Sequence, residues 1–165
     1  LTKSVKKNTF KSADSQVASR WGNITDFKNF DLITPNEKEA RFSISDQDSS
    51  LSSLARKVIK ASKCKNMILK LGERGAFAVE NKKYLKSFYI SSFANKVADA
   101  VGTGDALLAY STLAMISSKS LAVSIIIGSI AAACKCESQG NSPITPKEVI
   151  EKIKNIEKLT KYNTL

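Results

Sequence analysis

Histidine is absent from the 165-residue sequence. That absence removes every Ser-His-Asp and Cys-His catalytic arrangement. It also leaves a tetrahedral zinc site only four thiolates or a mixed carboxylate set. Cysteine is scarce, with three residues, an odd count that fits reduced thiols better than a disulfide framework. Cys134 and Cys136 stand two apart at the end of a helical run and so face different ways; no metal clip is expected of them. Three prolines among 42% apolar residues argue against a disordered chain. Long apolar runs are missing too. The longest charge-free stretches, Ala106–Ser118 and Ser120–Cys134, are too short for a bilayer crossing, so no membrane partner is expected. No basic start with an apolar block and a small-residue cleavage site opens the sequence, and a cytoplasmic location is expected.

Positive charge is abundant: 26 Lys and Arg against 15 Asp and Glu leave a net charge of +11. Such a field attracts polyanions, from nucleic acids to nucleotides and phosphorylated metabolites. The excess is spread over Lys3, Lys6, Lys7 and Lys11, then Arg56–Lys65, then Lys147–Lys161. No aromatic platforms interleave with these cations, so the charge reads as solvated helix faces and nucleic-acid binding is not expected. Acid–base chemistry must rest on carboxylates, lysines or tyrosines.

The length suits one domain, residues 1–165. Phe10–Ala13 reads as a short strand with Asp14 at its carboxyl end, and Phe30–Ile33 as a clearer one bounded by Thr34-Pro35-Asn36. Asp46 to Ser50 offers capping side chains, after which Leu51, Leu54, Ala55, Val58 and Ile59 recur at helical spacing. Asn66–Leu71 predicts a buried strand, Gly72-Glu73-Arg74-Gly75 a turn, and Ala76–Glu80 the second arm of a hairpin. Asn81–Lys83 turns into a third run, Tyr84–Ile90. Beyond Gly102 the pattern predicts helices over Ala106–Ser117 and Leu121–Cys136, the latter apolar on nearly every side and expected to be buried. Thr145-Pro146-Lys147-Glu148 is a strong helix start, with an N-cap Thr, Pro in the first turn and Glu closing the box. That last helix runs to about Tyr162. Strands alternating with helices indicate an α/β layer structure.

The stretch Asp99-Ala100-Val101-Gly102-Thr103-Gly104-Asp105 carries the most chemistry. Two glycines around one small residue at a helix start leave backbone amides open to an anion, at the positive end of the helix dipole. An aspartate there repels what the amides attract. It makes sense as a base taking a proton from an alcohol poised to attack a phosphoryl group. An N-cap loop with an acidic first turn explains the same residues and stays open at this point.

This stretch resembles the D-T-x-G-A-G-D signature of the ribokinase-like (PfkB) carbohydrate kinases. Three further segments arrive in the family's order. Asp31–Ala40 is similar to its strand ending in the N-x-x-E motif, and Leu69–Ala76 to its strand-turn with two glycines. Gly128–Ala133 with Gly140-Asn141-Ser142-Pro143 is similar to the helix and loop that close its nucleotide pocket. Together they span roughly Thr9 to Lys154. The resemblance implies the carboxyl-terminal portion of a three-layer α/β sandwich, with helices on both faces of a mainly parallel sheet. It implies ATP and Mg²⁺, with Asp105 as the base that deprotonates the acceptor hydroxyl. Gly102, Thr103 and Gly104 would supply the anion hole for the γ-phosphoryl group. Asn36 and Glu39 would hold Mg²⁺ through water, Gly72 and Gly75 would lie along the nucleotide, and Asn141 would border the adenine. Asp99, with nearby carbonyls, would take a monovalent cation such as K⁺.

The sequence departs from the family's wording at several places. Ala100 and Thr103 replace the usual Thr and Ala, without removing an amide. Lys70 stands where Thr is common and would touch a phosphate or point to solvent. The family's amino-terminal half, with its glycine pair, sugar-binding residues and lid strands, has no counterpart in the sequence, so the isolated chain is expected not to turn over. The wording of Ser12–Arg41 is nearest the heptose-phosphate kinase branch, which implies a fused nucleotidyltransferase domain or the missing half as partner, with a sugar or sugar phosphate as acceptor. Sheet edges left open would suit a homodimer. Two other readings stand beside the sugar kinase: a non-catalytic nucleotide-binding or regulatory module, and a vitamin or nucleoside kinase of the same fold.

Overall fold

The computed structural model describes residues 5–6, 8–15, 23–82, 86–140 and 142–162. Lys3, Lys7, Lys83, Tyr84 and Asn141 lie outside the described residues. The chain divides into two compact units, Leu1–Lys70 with Phe77–Phe88, and Leu71–Ala76 with Tyr89–Leu165.

The first unit carries most of a five-stranded sheet. Its strands are β1 (Ser12–Ala13), β2 (Leu32–Ile33), β3 (Asn66–Lys70), β4 (Ala76–Glu80) and β5 (Lys86–Ile90), in the spatial order β1-β2-β3-β4-β5. β1 and β2 are parallel, as are β2 and β3. Met67, Ile68 and Leu69 are completely buried, the continuous apolar run that a strand covered on both faces requires. β3 and β4 form the expected hairpin. Asn81 N–H closes it on Lys65 O at 2.8 Å and Leu71 N–H on Gly75 O at 2.9 Å.

The first two strands begin later than their sequences suggest. Lys11 N–H donates to the Asp31 carboxylate at 2.8 Å instead of to backbone. Lys11 O meanwhile receives both Asp31 N–H and Leu32 N–H, at 2.8 and 3.1 Å. A side chain has taken the place of a ladder partner, and regular pairing starts at Ser12 and Leu32.

Two helices belong to this unit, α1 (Glu37–Ser43) and α2 (Leu51–Ser62). Ser50 Oγ caps α2 by accepting Ser53 N–H at 3.3 Å. The buried stripe Leu54, Ala55, Val58 and Ile59 is the one the spacing predicts. Each large aliphatic side chain so buried contributes roughly 1.5–3 kcal/mol. Lys63, at φ 55°, ends the helix in the left-handed conformation common at such termini. Cys64 follows, with no exposed surface, and burial pushes its thiol up to about 11.

The second unit holds α3 (Thr103–Ser118), α4 (Leu121–Glu137) and α5 (Pro146–Tyr162). α3 and α4 make a tight helical hairpin across Lys119-Ser120. Their closeness depends on Gly128: a Cβ there would lie 1.9 Å from Ser111 Oγ and 3.0 Å from Leu107 O. Ser124 Oγ donates to Ser111 O at 2.8 Å across the same seam. α4 is buried along most of its length, but Val123 and Ile126 remain 40% exposed, so burial on every side is not realised. α5 opens as its sequence predicts. Thr145 N–H donates to Glu148 Oε2 at 2.7 Å and Glu148 N–H returns to Thr145 Oγ1 at 3.4 Å. Val149, Ile153 and Ile156 then pack against Ile130 and Ala131.

Candidate functional site

In the first unit β1, β2 and β3 run parallel side by side, Ala13 pairing with Ile33 and Ile33 with Met67. Asp14 follows β1, Asn36 lies beyond β2 and Lys70 ends β3, and an isolated parallel bridge joins Asn36 to Lys70. In α/β proteins ligands bind outside the carboxyl ends of parallel strands.

Asn36 and Glu39 are engaged with each other. Asn36 Oδ1 accepts Glu39 N–H at 2.8 Å, and Glu39 Oε2 accepts Asn36 N–H at 2.7 Å, the reciprocal box that starts α1. The local helix cap and the N-x-x-E wording are therefore the same two residues. Glu39 is 5% exposed. A carboxylate with two oxygens accepts more bonds than this box uses, so the pair suits a hard cation held through water. Among the described residues no group of three or more His, Cys, Asp or Glu that could hold a metal ion occurs.

Lys70 neither points to solvent nor stands free. Its ammonium forms an ion pair with Asp14 Oδ2, and both side chains are largely covered. Asp14 Oδ1 is held by Ser15 N–H at 2.9 Å. Burial pushes the Asp14 carboxyl above its ordinary value; Lys70 works against that push and the nearby Glu39 adds to it. Asp14 has no part in the motifs read from the sequence. Its only signal was its place at the end of a strand.

In the second unit Gly72 (φ 63°) and Gly75 (φ 96°) bracket a single 3₁₀ turn, Gly72–Arg74, where the sequence predicts a turn. They serve different ends. A Cβ on Gly75 would lie 2.1 Å from Ile90 O and 2.7 Å from Ser92 N, so backbone approach demands glycine. A Cβ on Gly72 would meet nothing within 4 Å.

The Asp99–Asp105 stretch is pinned to α4 at one end: Ala98 N–H and Asp99 N–H both donate to Cys136 O, at 2.8 and 3.1 Å. Asp99 Oδ1 accepts Val101 N–H at 2.9 Å, shaping the turn. Gly102 then takes φ 76° as the N-cap of α3, and no side chain caps the helix. Thr103 N–H leans on Ala100 O at 3.3 Å. Gly104 and Asp105, one turn in, have N–H groups with no partner among the described residues. The Asp105 side chain is exposed, and among the described residues no hydrogen bond or ion pair reaches it. One further residue escaped the sequence reading. Lys135, 3% exposed near the end of α4, donates to Gly140 O at 2.5 Å and Ser142 O at 3.1 Å. It fixes the two ends of the short segment containing Asn141.

The residues expected to serve the nucleotide thus fall into two groups. Asn36, Glu39 and Lys70 meet in the first unit; Asp99 and Gly102–Asp105 form one turn in the second.

Comparison with known proteins agrees on a family. The model for the pfkB family carbohydrate kinases matches residues 3–148. No curated protein matches the chain. Among solved structures, the chain is similar to a ribokinase from Thermotoga maritima, at 24% identity and TM-score 0.75 over 90% of this chain and 50% of that one. It is similar to phosphofructokinase-2 from Escherichia coli in complex with potassium, at 20% identity and TM-score 0.70 over 81% of this chain and 43% of that one. A third likeness is to the ribokinase of Arabidopsis thaliana complexed with ribose and ATP, at 25% identity and TM-score 0.65 over 76% and 41%. The chain spans half or less of the length of each.

Proposed function

We propose, for a chain that belongs to the pfkB family of carbohydrate kinases, that it forms the nucleotide-binding and base-bearing part of an ATP-dependent kinase acting on a sugar or sugar phosphate. The Asp105 carboxylate takes the proton of the acceptor hydroxyl as its oxygen attacks the γ-phosphorus of ATP. The bond from γ-phosphorus to the bridging oxygen breaks, ADP leaves, and the proton remains on Asp105 until exchanged with solvent. The unpaired first-turn amides of α3, at Gly104 and Asp105 beside Gly102 and Thr103, donate to the phosphoryl oxygens as their charge grows. Glu39 and Asn36 would hold a hydrated Mg²⁺, which supplies charge neutralisation when bound. Gly72 leaves room for the nucleotide, and the Asn141 segment borders its base. Asp99 and neighbouring carbonyls would take K⁺, the ion present in the phosphofructokinase-2 relative.

The observation that carries this reading is the opening of α3, with its glycine cap, unpaired amides and an unpartnered exposed carboxylate in one turn. The wording of Ser12–Arg41 supports a heptose phosphate as the acceptor class. Since the chain spans half or less of its relatives, it is expected to bind ATP and to transfer nothing until the acceptor is oriented by further sequence. Titration calorimetry of the 165-residue chain with ATP, with and without Mg²⁺, is the test. Gly104→Val should weaken ATP about tenfold, roughly 1.4 kcal/mol, by crowding the amides. Absence of any ATP binding at millimolar concentration would sink the reading.

A further inference from the structure

We infer that Asp14 is a built-in stand-in for phosphate on Lys70, so that this ion pair determines how strongly these strand ends prefer a nucleoside triphosphate over a monophosphate. The inference rests on the nucleotide reading above and extends it to the partner of Lys70, Asp14, which no motif assigns.

Lys70 is the last residue of β3 and Asp14 follows β1, while Asn36 bridges to Lys70 from beyond β2. The pair therefore sits at three adjacent parallel strand ends, where a ligand of an α/β sheet arrives. Lys70 also differs from the paired lysines elsewhere in its unit. Lys57, Lys65 and Lys82 meet Asp46, Asp31 and Glu80 yet stay 52%, 73% and 57% exposed. The Lys70 side chain is 17% exposed and its Asp14 partner 15%. Two covered charges forgo much of their hydration, and neither tolerates losing the other without a replacement.

Asp14 is suited to being exchanged. One oxygen stays on Ser15 N–H while only the other engages Lys70. Glu39, a second carboxylate nearby, repels Asp14 and makes its charged form costlier to keep. The strand ends also hold more polar capacity than the fold uses. Ser15 Oγ and Thr34 Oγ1, at 4% and 0% residue exposure, are buried with no hydrogen-bond partner among the described residues, and such groups call for one. A terminal phosphate with two or more charges displaces the carboxylate from Lys70, because it offers more charge and more acceptor oxygens. A monophosphate, whose single phosphate lies at the nucleoside, leaves the ion pair in place.

The test is calorimetric titration of the chain with ATP and AMP, in Mg²⁺, for the wild type, Lys70→Met, Asp14→Asn and the double variant. Lys70→Met should weaken ATP at least tenfold and leave AMP within twofold. Asp14→Asn should tighten ATP at least threefold, again leaving AMP within twofold, because Lys70 no longer has an internal competitor. The double variant should match Lys70→Met within twofold. Asp14→Glu and Lys70→Arg, which keep both charges, should bind ATP as the wild type does and show that the fold tolerates change here. Unchanged ATP affinity in Asp14→Asn, or equal shifts for ATP and AMP, overturns the stand-in role while the nucleotide reading survives. A wild type that binds neither nucleotide overturns both.

Discussion

At the strand ends of the first unit the charged and amide side chains are bound to one another, whereas at the start of α3 in the second, backbone N–H groups stand without partners among the described residues. Asn36 and Glu39 complete each other's hydrogen bonds, and Asp14 neutralises Lys70. Gly104 and Asp105 have open N–H groups, and the Asp105 carboxylate has no partner among the described residues. The difference is one of cost. An internally satisfied cluster supports the fold and must be rearranged before it serves a ligand. An unpaired helix start is ready at once, because its donors are fixed by the backbone and lose no side-chain freedom.

Substitutions can break that contrast, and the largest effect is expected at Asp105. In a polypeptide that also carries the remaining length of its relatives, Asp105→Asn should lower phosphoryl transfer roughly 10²–10⁴-fold. Its ATP affinity and melting temperature should stay nearly unchanged, since nothing in the fold leans on this carboxylate. A coupled assay with a thermal melt checks both, and near-normal turnover would remove Asp105 as the base. Next comes the glycine pair. Gly75→Ala drives a Cβ into the Ile90 carbonyl and should cost about 1–3 kcal/mol in urea unfolding. Gly72→Ala meets only its left-handed φ and should cost about 1 kcal/mol. Equal losses would contradict the division of labour between the two.

Asn36→Ala sharpens the contrast from the other side. It removes the α1 cap and should cost about 1 kcal/mol of stability together with a loss of ATP affinity, since the proposed site uses the same side chain. A loss of one without the other would separate cap from site. The smallest effect is expected in α5. Hydrogen bonds from the Thr145 hydroxyl and N–H hold the Glu148 carboxyl below its ordinary 4.5. Its contribution is present above pH 4.5 and fades as pH falls through the lowered value. Melting curves from pH 7 down to 3 should therefore converge for wild type and Glu148→Gln at the acid end, from a gap of about 0.5 kcal/mol at neutrality.

How much of this was legible depends on how far apart the partners stand in the chain. The start of α5 reads directly from Thr145 to Glu148 because every bond involved lies within four residues. The α2 stripe was equally plain, set by helical period alone. The late start of β1 was hidden because Asp31, 20 residues on, takes a bond that the ladder would have used. Lys70 was read only in part: it does not point to solvent, and its ion pair was not foreseen. Its partner Asp14 lies 56 positions away, and only the parallel stacking of β1, β2 and β3 brings the two together. Asn36 and Glu39 show a third kind of limit. Their spacing was seen, but one pattern served two purposes, a helix cap and a family motif.

The depth at which Cys64 sits has a practical consequence for anyone handling the protein. With no exposed surface and a thiol pushed up to about 11, it offers an alkylating reagent almost no thiolate and no approach at neutral pH. Modification at that position, followed by peptide mass spectrometry, therefore reports each time the first unit opens, a clock for local unfolding set just ahead of the strand that leads to Lys70.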